Sequence, residues 1–204
     1  MAKSLSAKKG RRSPPTRRRS SRSKNGSGRD DAVRLLKADH REVEGLFGEF
    51  ERTRSDERRE EVAAQICQAL RAHTAIEEEI FYPAFLEATG DTAIHHEAEI
   101  EHQGAKHLIE EIESAGPRDD HFEARVTVLA EMIKHHVKEE ERRGGMFSKA
   151  QNSDMDLAEI GRRMKERKLE LMGEDSAGLE GTLRARRPLS GRGSTRRTTA
   201  AIRR

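Results

Sequence analysis

Two stretches of the chain place a glutamate four residues after a histidine, His73-Thr-Ala-Ile-Glu77 and His136-Val-Lys-Glu-Glu140. Two further histidines, His40 and His102, precede them at matching separations of 33 and 34 residues. On a helix, residues i and i+4 share a face, so each His-x-x-x-Glu can clamp one cation. Four imidazoles and two carboxylates exceed what one tetrahedral zinc takes, and with a single cysteine, Cys67, thiolate zinc or iron–sulfur ligation is disfavoured. Divided between two ions, the set gives each two histidines, with both glutamates free to bridge. A solvent-derived oxo or hydroxo bridge would leave each ion about five-coordinate, open to an exogenous ligand. Mixed nitrogen and oxygen ligation of this kind suits two iron ions, with manganese or zinc less favoured.

Chemistry of this sort requires the donors to face inward. At about 100° per residue, His136 and Glu140 fall within about 60° of the apolar stripe Val126, Leu129, Ile133 and Val137, whereas the neighbouring His135 lies about 160° away. His73 and Glu77 share a stripe with Val62, Ile66, Leu70, Ile76 and Ile80, leaving Glu78 and Glu79 outward. His40 runs with Val33, Leu36, Val43 and Phe47, and His102 sits at the edge of a stripe of Ala98, Ala105, Ile109 and Ile112. One inward histidine is ordinarily a hydrogen-bonded core residue. Two carboxylates buried with four histidines in a small core are costly unless cations compensate them, which favours metal. Tyr82, nine residues after His73, falls about 180° round a regular helix and would approach the metals only if Pro83 distorts its turn.

The elements that must position these donors are all helical. Apolar residues recur at three and four from Asp31 onward, predicting helices near 31–53, 57–88, 92–115 and 120–143, with Asp119 or Asp120 an N-cap for the last. Short connections make successive helices antiparallel neighbours, so the expected fold is all-α, an up-down four-helix bundle. A weaker amphipathic stretch, 157–172, predicts an extra C-terminal helix outside it. The segments 38–50 and 100–112, and likewise 73–77 and 136–140, can be laid over one another, so two similar helical hairpins form the bundle and suit a site with two similar halves.

Charge is strongly segregated. Residues 1–29 carry eleven Lys or Arg and residues 181–204 carry eight, with no acid in either; of the 40 basic residues 21 remain in 30–180 against all 37 acidic ones, a net of −16. The expected organisation is a disordered basic tail over 1–29, the bundle over 30–150, the extra helix over 151–175 and a disordered basic tail over 176–204. Such tails attract nucleic acid or other polyanions through phosphate neutralisation, without aromatic residues to read bases, or dock on the acidic body. The sequence has no transmembrane run and no signal-peptide core, and the expected location is cytoplasmic.

The pattern His40, His73-x-x-x-Glu77, His102, His136-x-x-x-Glu140, with the strings LLKADHREVEGLF and HTAIEEEIFYPAF, resembles the bacterial branch of the hemerythrin-like HHE cation-binding domains over about 31–150. The resemblance implies a four-helix bundle round a non-haem di-iron centre with those six residues as ligands. It also implies a small ligand such as dioxygen, hydrogen peroxide or nitric oxide, bound, sensed or, as in a catalase-like reaction, disproportionated. Two departures stand out. Lys106 occupies the position where oxygen-carrying members have a further histidine, which weighs against simple oxygen carriage. Gly144-Gly145 is expected to end the fourth helix and loosen the mouth of the bundle, with Ser148 where many relatives have a proline after the phenylalanine.

Overall fold

A computed structural model describes the backbone of residues 31–185 and the side chains of residues 31–173. The helices are α1 (Ala32–Arg52), α2 (Asp56–Ile76), α3 (Tyr82–Thr89), α4 (Thr92–Ala115), α5 (Phe122–Glu141), α6 (Met146–Asn152) and α7 (Leu157–Ala185), with a π-helical turn, Glu77–Phe81, joining α2 to α3. There is no strand among the described residues, and none of their helices is long and apolar enough to cross a membrane. The expected tail 1–29 and the chain beyond 185 lie outside the described residues, whereas α7 continues to Ala185, past the 157–172 expected of it.

Side-chain caps start four of the long helices, with Asp156 accepting the amide of Glu159 at the start of α7. Asp31 accepts the amide of Arg34 at 2.8 Å, Ser55 that of Arg58 and Asp91 that of Ile94, each satisfying an otherwise unpaired first-turn donor. Neither Asp119 nor Asp120 caps α5. The cap position is His121, and Asp119 instead accepts the His121 amide at 2.8 Å in the turn before it. Gly90 and Gly116, at φ +68° and +71°, close α3 and α4 in a backbone region that favours glycine.

α1, α2 with its continuation α3, α4 and α5 form the antiparallel bundle, and α7 lies outside across α1 and α2. Two apolar clusters fill the interior. One gathers Leu36, Ile76, Phe81, Phe85, Met146, Phe147 and Met164; the other gathers Val43, Phe47, Ile66, Leu70, Ile109, Val126 and Leu129. Between them lies a buried polar layer of His40, His73, Glu77, His102, His136 and Glu140. The bundle core is thus interrupted at mid-height by the donors singled out above.

The second predicted helix, 57–88, is one rod in sequence but not in hydrogen bonding. Pro83 has no amide proton, and in a regular α-helix its ring would press on the carbonyl of Glu79. Just before it the turn widens, and the Tyr82 amide reaches back five residues to the Glu77 carbonyl. Absorbing one extra residue turns the following side chains by about 100°, so Tyr82 moves from about 180° to about 80° from His73.

Candidate metal centre

All six expected donors meet in the polar layer, including His102, which is fully buried and not marginal. They form two pairs. The rings of His40 and His73 are 4.9 Å apart and those of His102 and His136 are 4.8 Å apart. Glu77 reaches both pairs, with Oε2 3.1 Å from His73 Nε2 and 3.3 Å from His102 Nε2. Glu140 does the same from the other side, with Oε2 3.4 Å from His40 Nε2 and 3.6 Å from His136 Nε2. Each carboxylate therefore spans two histidine pairs, and the centre has two halves related as the two hairpins are.

The donor atoms fit a cation better than they fit each other. His40 Nε2, His73 Nε2, Glu77 Oε1 and Glu140 Oε2 are buried and lack a hydrogen-bond partner among protein atoms, although Glu77 is 0% and Glu140 3% exposed. Groups so placed are costly unless a further positive charge compensates them. Nitrogen and oxygen donors of His40, His73 and Glu77, and again of Glu77, His102 and His136, lie within 4.8 Å of one another. Without an ion the layer relies on protons. Burial disfavours a charged imidazole at His73, but Glu77, with Asp39, outweighs it and holds the pKa up to about 10; for His102 the same contest, with Glu77 and Glu78 as partners, leaves it at about 9.

A second circle of carboxylates, which the angular reading missed, surrounds the histidines. Asp39 of α1 faces His73 Nδ1 at 3.6 Å, Glu78 of the π turn faces His102 Nδ1 at 3.0 Å, Glu101 of α4 faces His136 Nδ1 at 2.7 Å and Glu141 of α5 faces His40 Nδ1 at 2.9 Å. Each sits beside a donor on its own helix but serves the histidine of the next, so the circuit runs α1 to α2 to α4 to α5 and back to α1. Glu78 does point away from the stripe of its own helix, as expected, yet it lands on α4. Cations hold three of the outer carboxylates in turn: Lys168 of α7 on Asp39 at 2.8 Å, Lys106 on Glu78 at 2.6 Å and Arg41 on Glu141 at 2.8 Å. Lys106 is thereby committed to the outer circle. A carboxylate on the outer nitrogen of a histidine fixes its tautomer and aims the inner nitrogen, as such partners do in metal sites.

Tyr82 is in the centre. Its hydroxyl lies 3.1 Å from His102 Nε2, 3.4 Å from Glu77 Oε2 and 3.3 Å from Glu140 Oε1, on the side where Lys106 replaces a further histidine. Burial, then the charges of Glu77 and Glu140, push its pKa well above the ordinary phenol value, so it keeps its proton beside these carboxylates. The run Tyr82-Pro83 is the signal that could have placed it, through the widened turn.

The mouth beyond α5 is closed, contrary to the loosening expected of Gly144-Gly145. Gly144 turns the chain at φ +80°, and Gly145 packs so tightly that a Cβ there would come no further than 3.0 Å from the carbonyl oxygens of Glu139, Glu140 and Arg142. This close approach docks α6, and Phe147 stacks on the His40 ring at 5.6 Å and edge-on against Phe81 at 5.8 Å. Two spaces touch the histidines here. A cavity of about 10 Å³ lies against all four histidines under Val43, Leu70, Ile133 and Val137, and a cleft of about 520 Å³ between α1 and α5 reaches His40.

Comparison with known proteins bears on the family and the fold. A DNA nickase of Nostoc sp. (strain PCC 7120 / SAG 25.82 / UTEX 2576) is 33% identical over 109 residues, which are 52% of this chain and 30% of that protein, so the chain spans under a third of that relative's length. A crystal structure of a hemerythrin HHE cation-binding domain-containing protein from Mycobacterium kansasii superimposes with a TM-score of 0.58 at 18% identity, covering 74% of this chain and 92% of that one, and shares its fold. Residues 31–144, which hold every donor described above, match the sequence profile of the hemerythrin HHE cation binding domain, and the chain belongs to that family.

Proposed function

We propose that the protein holds two iron ions, one between His40 and His73 and one between His102 and His136, bridged by Glu77 and Glu140, and that it acts on hydrogen peroxide or dioxygen. The observation that carries this reading is the double span of each glutamate across the two histidine pairs. Two irons would supply the electron pair that one peroxide accepts in becoming two waters and that a second returns in becoming dioxygen. The chain's own residues do the rest. The small cavity under Val43, Leu70, Ile133 and Val137 has room on the order of one water, too little for an organic substrate. Tyr82 holds one proton within reach of both bridging carboxylates, so the hydroxyl can hand on one proton while a carboxylate takes another, in the exchange of the two protons that one peroxide releases and the other takes up. Phe147, stacked on His40 and backed by Phe81, closes the α6 side of the centre and leaves the cleft between α1 and α5 as the approach to His40.

The test is metal content with the visible spectrum, followed by oxygen evolution from peroxide by the iron-loaded chain. Two irons per chain and evolution lost in His73→Ala support the reading. A stable dioxygen or nitric oxide adduct with no turnover would make the centre a sensor, and a chain that folds without transition metal and ignores added iron would refute it.

A second reading concerns nucleic acid and is favoured by the eleven basic residues in 1–29 and the eight in 181–204, none accompanied by an acid. The Nostoc relative is named a DNA nickase, though the chain spans only 30% of it. On this reading the arms hold a polyanion through counterion release while the bundle keeps its metal function. Removing both arms would abolish salt-sensitive retention on DNA and leave metal content unchanged; retention that survives the deletion overturns it.

A further inference from the structure

One more group of metal-binding side chains converges outside the buried centre. Near its start α4 carries His95, His96 and Glu99, and at about 100° per residue Glu99 falls between the two histidines, one turn along. His95 Nδ1 stands 3.4 Å from Glu99 Oε2, the two imidazole rings are 5.8 Å apart, and one donor atom from each of the three residues lies within 4.8 Å of the others. His95 Nδ1 is buried without a hydrogen-bond partner. These donors begin in the second turn, past the first-turn amides whose positive end would repel a cation, and Asp91 caps that end. Two imidazoles and one carboxylate on a single face leave the remaining positions to water, a set suited to a divalent first-row transition ion held loosely.

The position of this group matters as much as its composition. A pocket of about 150 Å³, lined by Glu78, Tyr82, His95, Glu99, Gln103 and Lys106, opens beside it and has in its lining Tyr82, the residue that touches the buried centre. The His95 ring meets the Tyr82 ring edge-on at 5.8 Å, and the Tyr82 hydroxyl is 3.1 Å from His102 Nε2. Lys106, the one cation in that lining, is neutralised by both oxygens of Glu78 at 2.7 and 2.6 Å. We propose that His95, His96 and Glu99 form a third, exchangeable divalent transition-metal site at the mouth of this pocket and pass cations past Tyr82 to the buried pair. The delivery role rests on reading the buried centre as a two-metal site; the exposed site does not.

Chelator-stripped full-length chain titrated with Co²⁺, read by its visible absorption, tests both parts. The wild type is expected to take three equivalents, the third lost at once to a chelating resin. His96→Ala and Glu99→Gln, both exposed changes, keep two equivalents and fill them several-fold more slowly at limiting Co²⁺. Three equivalents in both variants overturn the site, and loss of the third with an unchanged filling rate overturns delivery. His73→Ala separates the two readings: it retains the exposed equivalent even if the buried centre proves not to hold a pair.

Discussion

Glu101 braces His136 from α4 at 2.7 Å and does not face the buried layer itself, so changing it tests the outer circle without removing a donor. Its carboxyl is held below the usual range by the hydrogen bond to His136, against the opposing pull of burial, so it is an anion at neutral pH. Glu101→Gln keeps a carbonyl that can accept from His136 Nδ1 but removes the charge that makes the inner nitrogen a stronger donor. Glu101→Ala removes both and leaves Nδ1 without its partner. Loss of such a brace costs about 10- to 100-fold in metal affinity, or about 1.4 to 2.8 kcal/mol; glutamine belongs at the lower end and alanine at the upper. The effect should fall on one ion only, because Glu101 serves His136 and not His40 or His73. Chelator competition on the loaded protein would then show one of two release steps shifted, with the other in place. Asp39→Asn should shift the other step, and by less, since its 3.6 Å contact with His73 is the longest of the four. His135→Ala is the control: it also contacts Glu101, at 3.4 Å, but is 61% exposed, and should change either step by less than about fivefold. Equal shifts in both steps, or none with Glu101→Ala, would refute the assignment of each carboxylate to one half of the centre.

Further outcomes follow from the same geometry. Gly145→Ala should push α6 off α5 and cost about 1 to 3 kcal/mol or more, seen as a lower melting temperature with faster chelator access to the His40 side. Tyr82→Phe should keep the fold and metal content while slowing peroxide turnover and changing its pH profile; an unchanged profile would show that the hydroxyl is a bystander. Stability of the metal-free chain should decline as pH rises from about 6.5 through 10, because His73 at about 10 and His102 at about 9 have raised values whose contribution is complete below the unfolded pKa and lost above the folded one. Metal loading near pH 8 should release protons for the same reason, measurable with an indicator dye.

The centre was legible where its logic is local. Helical periodicity alone separates His136 from His135 and brings His73 and Glu77 to one face, because about 100° per residue fixes direction within a single helix. The rest depends on contacts between helices or on one inserted residue. Glu78 reads as solvent-facing on the second predicted helix, and nothing in that helix reveals that α4 brings His102 against it. Tyr82 reads as facing away until the widened turn ahead of Pro83 rotates it. Phe147 follows two glycines that look like slack, but their smallness permits the close backbone approach that seats its ring on His40.

The outer carboxylates also bear on how such a domain can be altered. Every strut in the circuit is owned by one helix and used by another, so a segment transplanted from a distant homologue brings its own histidine but forfeits the support it owed its neighbour. Recombination within this bundle is therefore expected to weaken a histidine outside the exchanged segment unless all four rods travel together.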